Sequence, residues 1–64
     1  MDPRKIKAKL IELGVTQKSI ADELGVSLAA VSMTIAGKTI SSRIRAAVAA
    51  RIGIDVNIVF KRAA

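Results

Sequence analysis

Four glycines punctuate this chain at Gly14, Gly25, Gly37 and Gly53, and each closes a segment in which apolar residues recur at spacings of three and four. A left-handed residue just past such a segment is where a helix ends, and glycine takes that conformation without the steric cost of a Cβ. Strands are poorly served by this pattern, because no four-residue alternation of apolar and polar residues appears. The chain is therefore predicted to be all-α, a compact bundle of about five short helices over 3–13, 17–24, 28–36, 42–52 and 56–60. Asp2-Pro3 starts the first as an N-cap followed by proline at the first helical position, where its missing N–H costs nothing. Thr16, Ser27 and either Ser41 or Ser42 offer hydroxyl caps for the next three, none of them backed by a Glu or Gln three residues on. The last segment carries Val56, Val59 and Phe60, and its Val-Asn-Ile-Val-Phe run is also compatible with an extended strand.

The apolar positions then define a core. Ile6, Leu10 and Leu13 share a face of the first segment, with Arg4, Lys5, Lys7 and Lys9 around the rest. Ile20, Ala21 and Leu24 serve the second, Val31 and Ile35 the third, and Ile44, Val48 and Ile52 the fourth. At 64 residues a single domain is expected, and it buries only about 60% of the surface its unfolded form exposes. With no Cys and no His, neither a disulfide nor a structural zinc site is available as a staple. The apolar fraction of 52% is nevertheless enough for a helical core. No repeat, linker or low-complexity segment stands out.

Composition also narrows function. Eleven Lys plus Arg against five Asp plus Glu give a net charge of +6, which favours a polyanionic partner, nucleic acid first and a membrane surface second. The absence of His, Cys, Tyr and Trp removes most groups that titrate or attack near neutral pH, so no enzyme, metal or cofactor is expected. Of the carboxylates only Asp22 and Glu23 are neighbours, and adjacent helical positions point about 100° apart. One aromatic, Phe60, is too few for single-strand binding by base stacking. The longest apolar stretch, Ala46–Ala50, is far short of the ~20 residues that span a bilayer, and residues 1–13 lack the apolar core of a signal peptide. A cytoplasmic protein of a bacterium or of a phage-infected cell is expected, with no membrane and no small-molecule ligand.

The stretch QKSIADELGVSLAAVSMTIAG, Gln17–Gly37, concentrates the functional signal. Two short helices joined by Gly25-Val26-Ser27 and crossing at about 90–120° need a small residue where they approach, a residue tolerant of positive φ at the corner, and an apolar plug between them. Ala21, Gly25 and Val31 supply these in order. This spacing, with Gln17 opening the first helix, resembles the helix-turn-helix over about 17–36 of the lambda-repressor-like family, which includes phage repressors and Cro-, Ner- and XRE-type regulators. The likeness continues through Ser32, Ile35, Gly37 and Lys38, a further helix at Ser42–Ile52, and the ending Gly53-Ile54-Asp55-Val56, where a short fifth helix folds back.

The resemblance implies a sequence-specific double-stranded DNA-binding regulator, a repressor in style, whose helix 28–36 enters the major groove. It places Ser27, Leu28, Ala29, Ser32 and Met33 at base edges. It places Gln17 and Lys18 at a phosphate by the preceding helix start, Lys38 and Thr39 at a neighbouring one, and Ser42 and Arg43 at a third. Proteins of this type commonly pair across a two-fold axis on half-sites ~34 Å apart, so a homodimer is expected at least on DNA; either Ile58 is left for the partner subunit, or Val56, Ile58, Val59 and Phe60 all complete the monomer core. The reading helix departs from the usual pattern, however. Base discrimination rests on Arg, Lys, Asn or Gln, whereas here only the serines and Thr34 can hydrogen-bond. Two alternatives stand. Either Leu28 or Ala29 meets thymine methyls while shape and phosphates dominate, or Leu28 and Met33 anchor a protein partner, which would make the scaffold an interaction or antirepressor module. A basic amphipathic membrane peptide, suggested by Lys5–Leu13, is disfavoured by the four glycine breaks.

Overall fold

The computed structural model describes residues 1–60; Lys61–Ala64 lie outside it. Five helices follow one another: α1 (Pro3–Glu12), α2 (Gln17–Leu24), α3 (Leu28–Ile35), α4 (Ser42–Ile52) and α5 (Val56–Val59), with no strand among the described residues. The final segment is thus a helical turn, not an extended one. Each helix begins on a side chain that accepts an otherwise orphaned backbone N–H. Asp2 accepts from Arg4, Thr16 from Ser19, Ser27 from Ala30, and Ser41, the first of the two candidate serines, from Ile44. Asp55, which the composition of its segment did not single out, caps α5 through the Asn57 N–H at 2.8 Å.

The core is continuous across all five helices and consists of Ile6 and Leu10 from α1, Ile20 and Ala21 from α2, Val31 and Ile35 from α3, Ile44, Val48 and Ala49 from α4, and Val59 with Phe60. The α2–α3 pair packs against both α1 and α4, and α5 closes the bundle against α4. One expected core residue is displaced. Leu13 is exposed, because α1 stops at Glu12 and the chain reverses at Gly14 (φ 72°). The Val15 N–H then donates to the Leu10 carbonyl at 2.8 Å, and Val15 takes the place against the core that helical spacing gave to Leu13.

Two polar side chains do structural work within the bundle. Thr34 is fully buried, and its hydroxyl donates to the Ala30 carbonyl at 2.8 Å. With that proton committed, Thr34 serves as acceptor for the Thr39 hydroxyl 3.3 Å away, tying the loop after α3 to the helix it leaves. Arg45, on the basic first turns of α4, lays its guanidinium 5.2 Å from the centroid of the Phe60 ring, a cation–π contact worth about 0.5–2 kcal/mol. It joins α4 to the end of α5.

Candidate nucleic-acid interface

The α2–α3 corner is built by local chemistry. Gly25 closes α2 in the left-handed conformation (φ 67°, ψ 33°), and a Cβ there would meet nothing within 4 Å. Glycine is needed for the backbone angle, not for space. The Val26 N–H donates to the Ala21 carbonyl at 3.0 Å, and Ser27 then restarts the helix by accepting the Ala30 N–H at 3.1 Å. Ala21 is buried at the approach of the two helices, and Val31 is inaccessible as the plug between them.

Burying Val31, Thr34 and Ile35 turns the rest of α3 outward. Leu28 is 51% exposed and Met33 41%, while Ser27 and Ala29 are also exposed and Ser32 is half-buried. Thr34, counted in the sequence among the groups able to hydrogen-bond a base, faces inward and is withdrawn from that set.

Helix α2 presents its start beside this face. Thr16 satisfies the Ser19 N–H at 3.0 Å, and the Ser19 hydroxyl donates back to the Thr16 carbonyl at 2.7 Å. The N–H groups of Gln17 and Lys18 belong to the first helical turn, where no intrahelical acceptor exists and the dipole favours an anion. Lys18 also reaches Asp22 at 3.4 Å in an ion pair exposed on both sides, which holds its ammonium only weakly.

Six side chains meet where α1 ends and the α2–α3 pair begins. Lys7 and Ile11 of α1, Gln17 and Lys18 of α2, and Leu28 and Ser32 of α3 line one open groove of 590 Å³. Two predicted phosphate residues and two predicted base-reading residues are thereby on one surface. Lys38 and Thr39 lie beyond the other end of α3, and the Lys38 N–H donates to the Met33 carbonyl at 2.9 Å. Arg43 is exposed in the first turn of α4. Ser42 is set apart from the rest, since it lines a smaller pocket of 170 Å³ with Arg45, Asn57 and Phe60 on the α5 side. Ile11, which no sequence argument singled out, is the addition. It falls off the Ile6–Leu10 face and is 77% exposed, and only the spatial pairing with Leu28 gives it meaning. Among the described residues no group of His, Cys, Asp and Glu could hold a metal ion, and no helix is long and apolar enough to cross a membrane.

With the corner and its outward helix in place, the class is settled by a family model described as helix-turn-helix, which matches residues 6–57. The chain belongs to this helix-turn-helix family, of lambda-repressor-like (XRE) type, and is a DNA-binding regulator of that type. The family is a regulatory one and typically non-enzymatic. No curated protein and no solved structure matches the chain at a significant level.

Proposed function

We propose that the chain is a sequence-specific double-stranded DNA-binding repressor that reads the major groove with α3 and acts as a dimer on a two-fold site. The observation that carries this reading is the exposed start of α3, Ser27–Ala29, set beside the capped start of α2 with Gln17 and Lys18. Bases face the first, and a phosphate lies against the second. Lys38, Thr39 and Arg43 extend the phosphate contacts beyond the far end of α3, with Ser42 an outlying member on the α5 side, and the net charge of +6 supplies the long-range attraction. Repression follows by occlusion, since a bound domain denies the site to polymerase or to an activator. DNA access places the protein in the cytoplasm of its bacterial or phage-infected host. Ile58, 61% exposed on α5, and Ile40, 77% exposed before α4, offer apolar surface for the second subunit.

Binding to a duplex selected from random sequence, followed across a salt series, tests this reading. Affinity falls steeply with salt as neutralised phosphates release counterions; a flat response overturns it. Arg43→Ala weakens binding to all sequences alike and lowers the salt slope by about one. Leu28→Ala or Ser32→Ala shifts the selected sequence. If neither does, α3 is not the reading helix, and the exposed Leu28 and Met33 belong to a protein partner.

A further inference from the structure

We propose that the groove between α1 and the α2–α3 pair is a binding site for a small amphiphilic anion, an apolar chain or ring carrying one carboxylate-type group. Ligand pockets in proteins run from about 300 to 1,000 Å³, and this groove, at 590 Å³, falls within that range. Its floor and walls are aliphatic. Leu10, which is buried, and the half-buried Val15 line the groove together with Ile11 and Leu28, which are 77% and 51% exposed. Single exposed aliphatics are ordinary. Two of them on different helices, lining one concavity while the core is complete without them, form a surface suited to an apolar guest.

The charge at the rim selects what kind of guest. Lys7 and Lys18 line the groove, and no acidic residue does. Lys7 makes no ion pair among the described residues, and Lys18 shares its charge only with the exposed Asp22. A neutral apolar molecule would leave both ammonium groups unused. A DNA phosphate would reach the lysines but would not fill the aliphatic floor. An anion with an apolar body satisfies both, its head at the lysines and its body between Ile11 and Leu28. The groove shares Gln17, Lys18, Leu28 and Ser32 with the DNA face, so ligand and DNA exclude each other; this consequence alone rests on the function proposed above.

Dodecanoate, kept below its micelle concentration, is the probe. Isothermal titration with the full chain shows one saturable site, and amide shift changes centre on Ile11, Gln17 and Leu28. Ile11→Glu, at a position too exposed to endanger folding, lowers the affinity by about tenfold or more. Lys7→Ala weakens it about threefold. Leu13→Glu, an exposed apolar residue outside the groove, leaves it unchanged. The inference is overturned if no saturation occurs, if dodecanol binds as tightly as dodecanoate, if Ile11→Glu has no effect, or if only phosphatidylglycerol vesicles bind and free dodecanoate does not. Displacement of a labelled duplex by dodecanoate, but not by dodecanol at the same concentration, tests the exclusion. A chain that binds dodecanoate but no DNA removes the functional reading and leaves the site standing; one that binds DNA but not dodecanoate removes the site alone.

Discussion

The α2–α3 corner and the α4–α5 corner are two versions of one local construction. Ala21, Gly25, Val26, Ser27 and Val31 in the first correspond to Ala49, Gly53, Ile54, Asp55 and Val59 in the second, at identical spacings. In each, a buried alanine carbonyl accepts the N–H of the residue after a left-handed glycine, at 3.0 Å from Val26 and 3.3 Å from Ile54. The next residue caps the new helix, and a fully buried valine plugs the angle. What differs is the sequel. The first corner opens into eight residues that turn Leu28, Ala29 and Met33 outward. The second opens into four that fold down, burying Val59 and bringing Phe60 against the Arg45 guanidinium. Corner geometry is a local property, whereas the exposed surface that follows it is decided by how far the second helix runs before the chain returns to the core.

Substitutions made in pairs test how far the equivalence goes. The largest effects belong to the plugs: Val31→Ala and Val59→Ala each destabilise by about 2 kcal/mol, through lost burial and the cavity left behind. Denaturant midpoints that fall by similar amounts sustain the comparison, and a much smaller loss for Val59 would show that its corner tolerates collapse. Next come the glycines. Gly25→Ala and Gly53→Ala each cost about 1–2 kcal/mol, purely from the left-handed backbone, because no atom lies within 4 Å of either added Cβ. Thermal unfolding distinguishes this from a steric clash, since Gly→Asn, which tolerates the conformation, recovers part of the loss.

Removing the caps, Ser27→Ala and Asp55→Ala, costs about 1 kcal/mol each. The exposed residues come last. Leu28→Ala and Ile58→Ala change stability by less than about 0.5 kcal/mol, and here the corners part. Under the proposed function, only Leu28→Ala alters DNA sequence preference, and only Ile58→Ala lowers the share of duplex that sediments with two subunits bound.

Much of this was legible in the residues, because it is specified locally. Glycine placement and hydroxyl caps gave five helices, and Ala21, Gly25 and Val31 gave the corner. The positions that escaped depend on contacts between distant segments. Leu13 fits the helical spacing of α1, yet the reversal at Gly14 substitutes Val15 for it. Thr34 reads as a surface hydroxyl until its helix is seen to turn it toward Ala30 and Thr39. The contact of Arg45 with Phe60 exists only because α5 packs back on α4. The echo between the corners is invisible to composition, since it lies in the order and spacing of the residues, three of the five being identical. The groove is the least legible feature, because Ile11 and Leu28 are unrelated in sequence and meet only through the packing of α1 against α3.

The ion pair between Glu23 and Arg51 gives the two corners one more relation. Each residue stands two before its corner's glycine, so the partners occupy equivalent places and carry opposite signs. Had the corners been exact copies, two carboxylates or two guanidinium groups would meet there and repel. The chain therefore reuses a construction without being able to duplicate it, and the direction of the charge difference labels which corner is which. Exchanging the two residues together restores the contact, while either change alone sets like charges side by side.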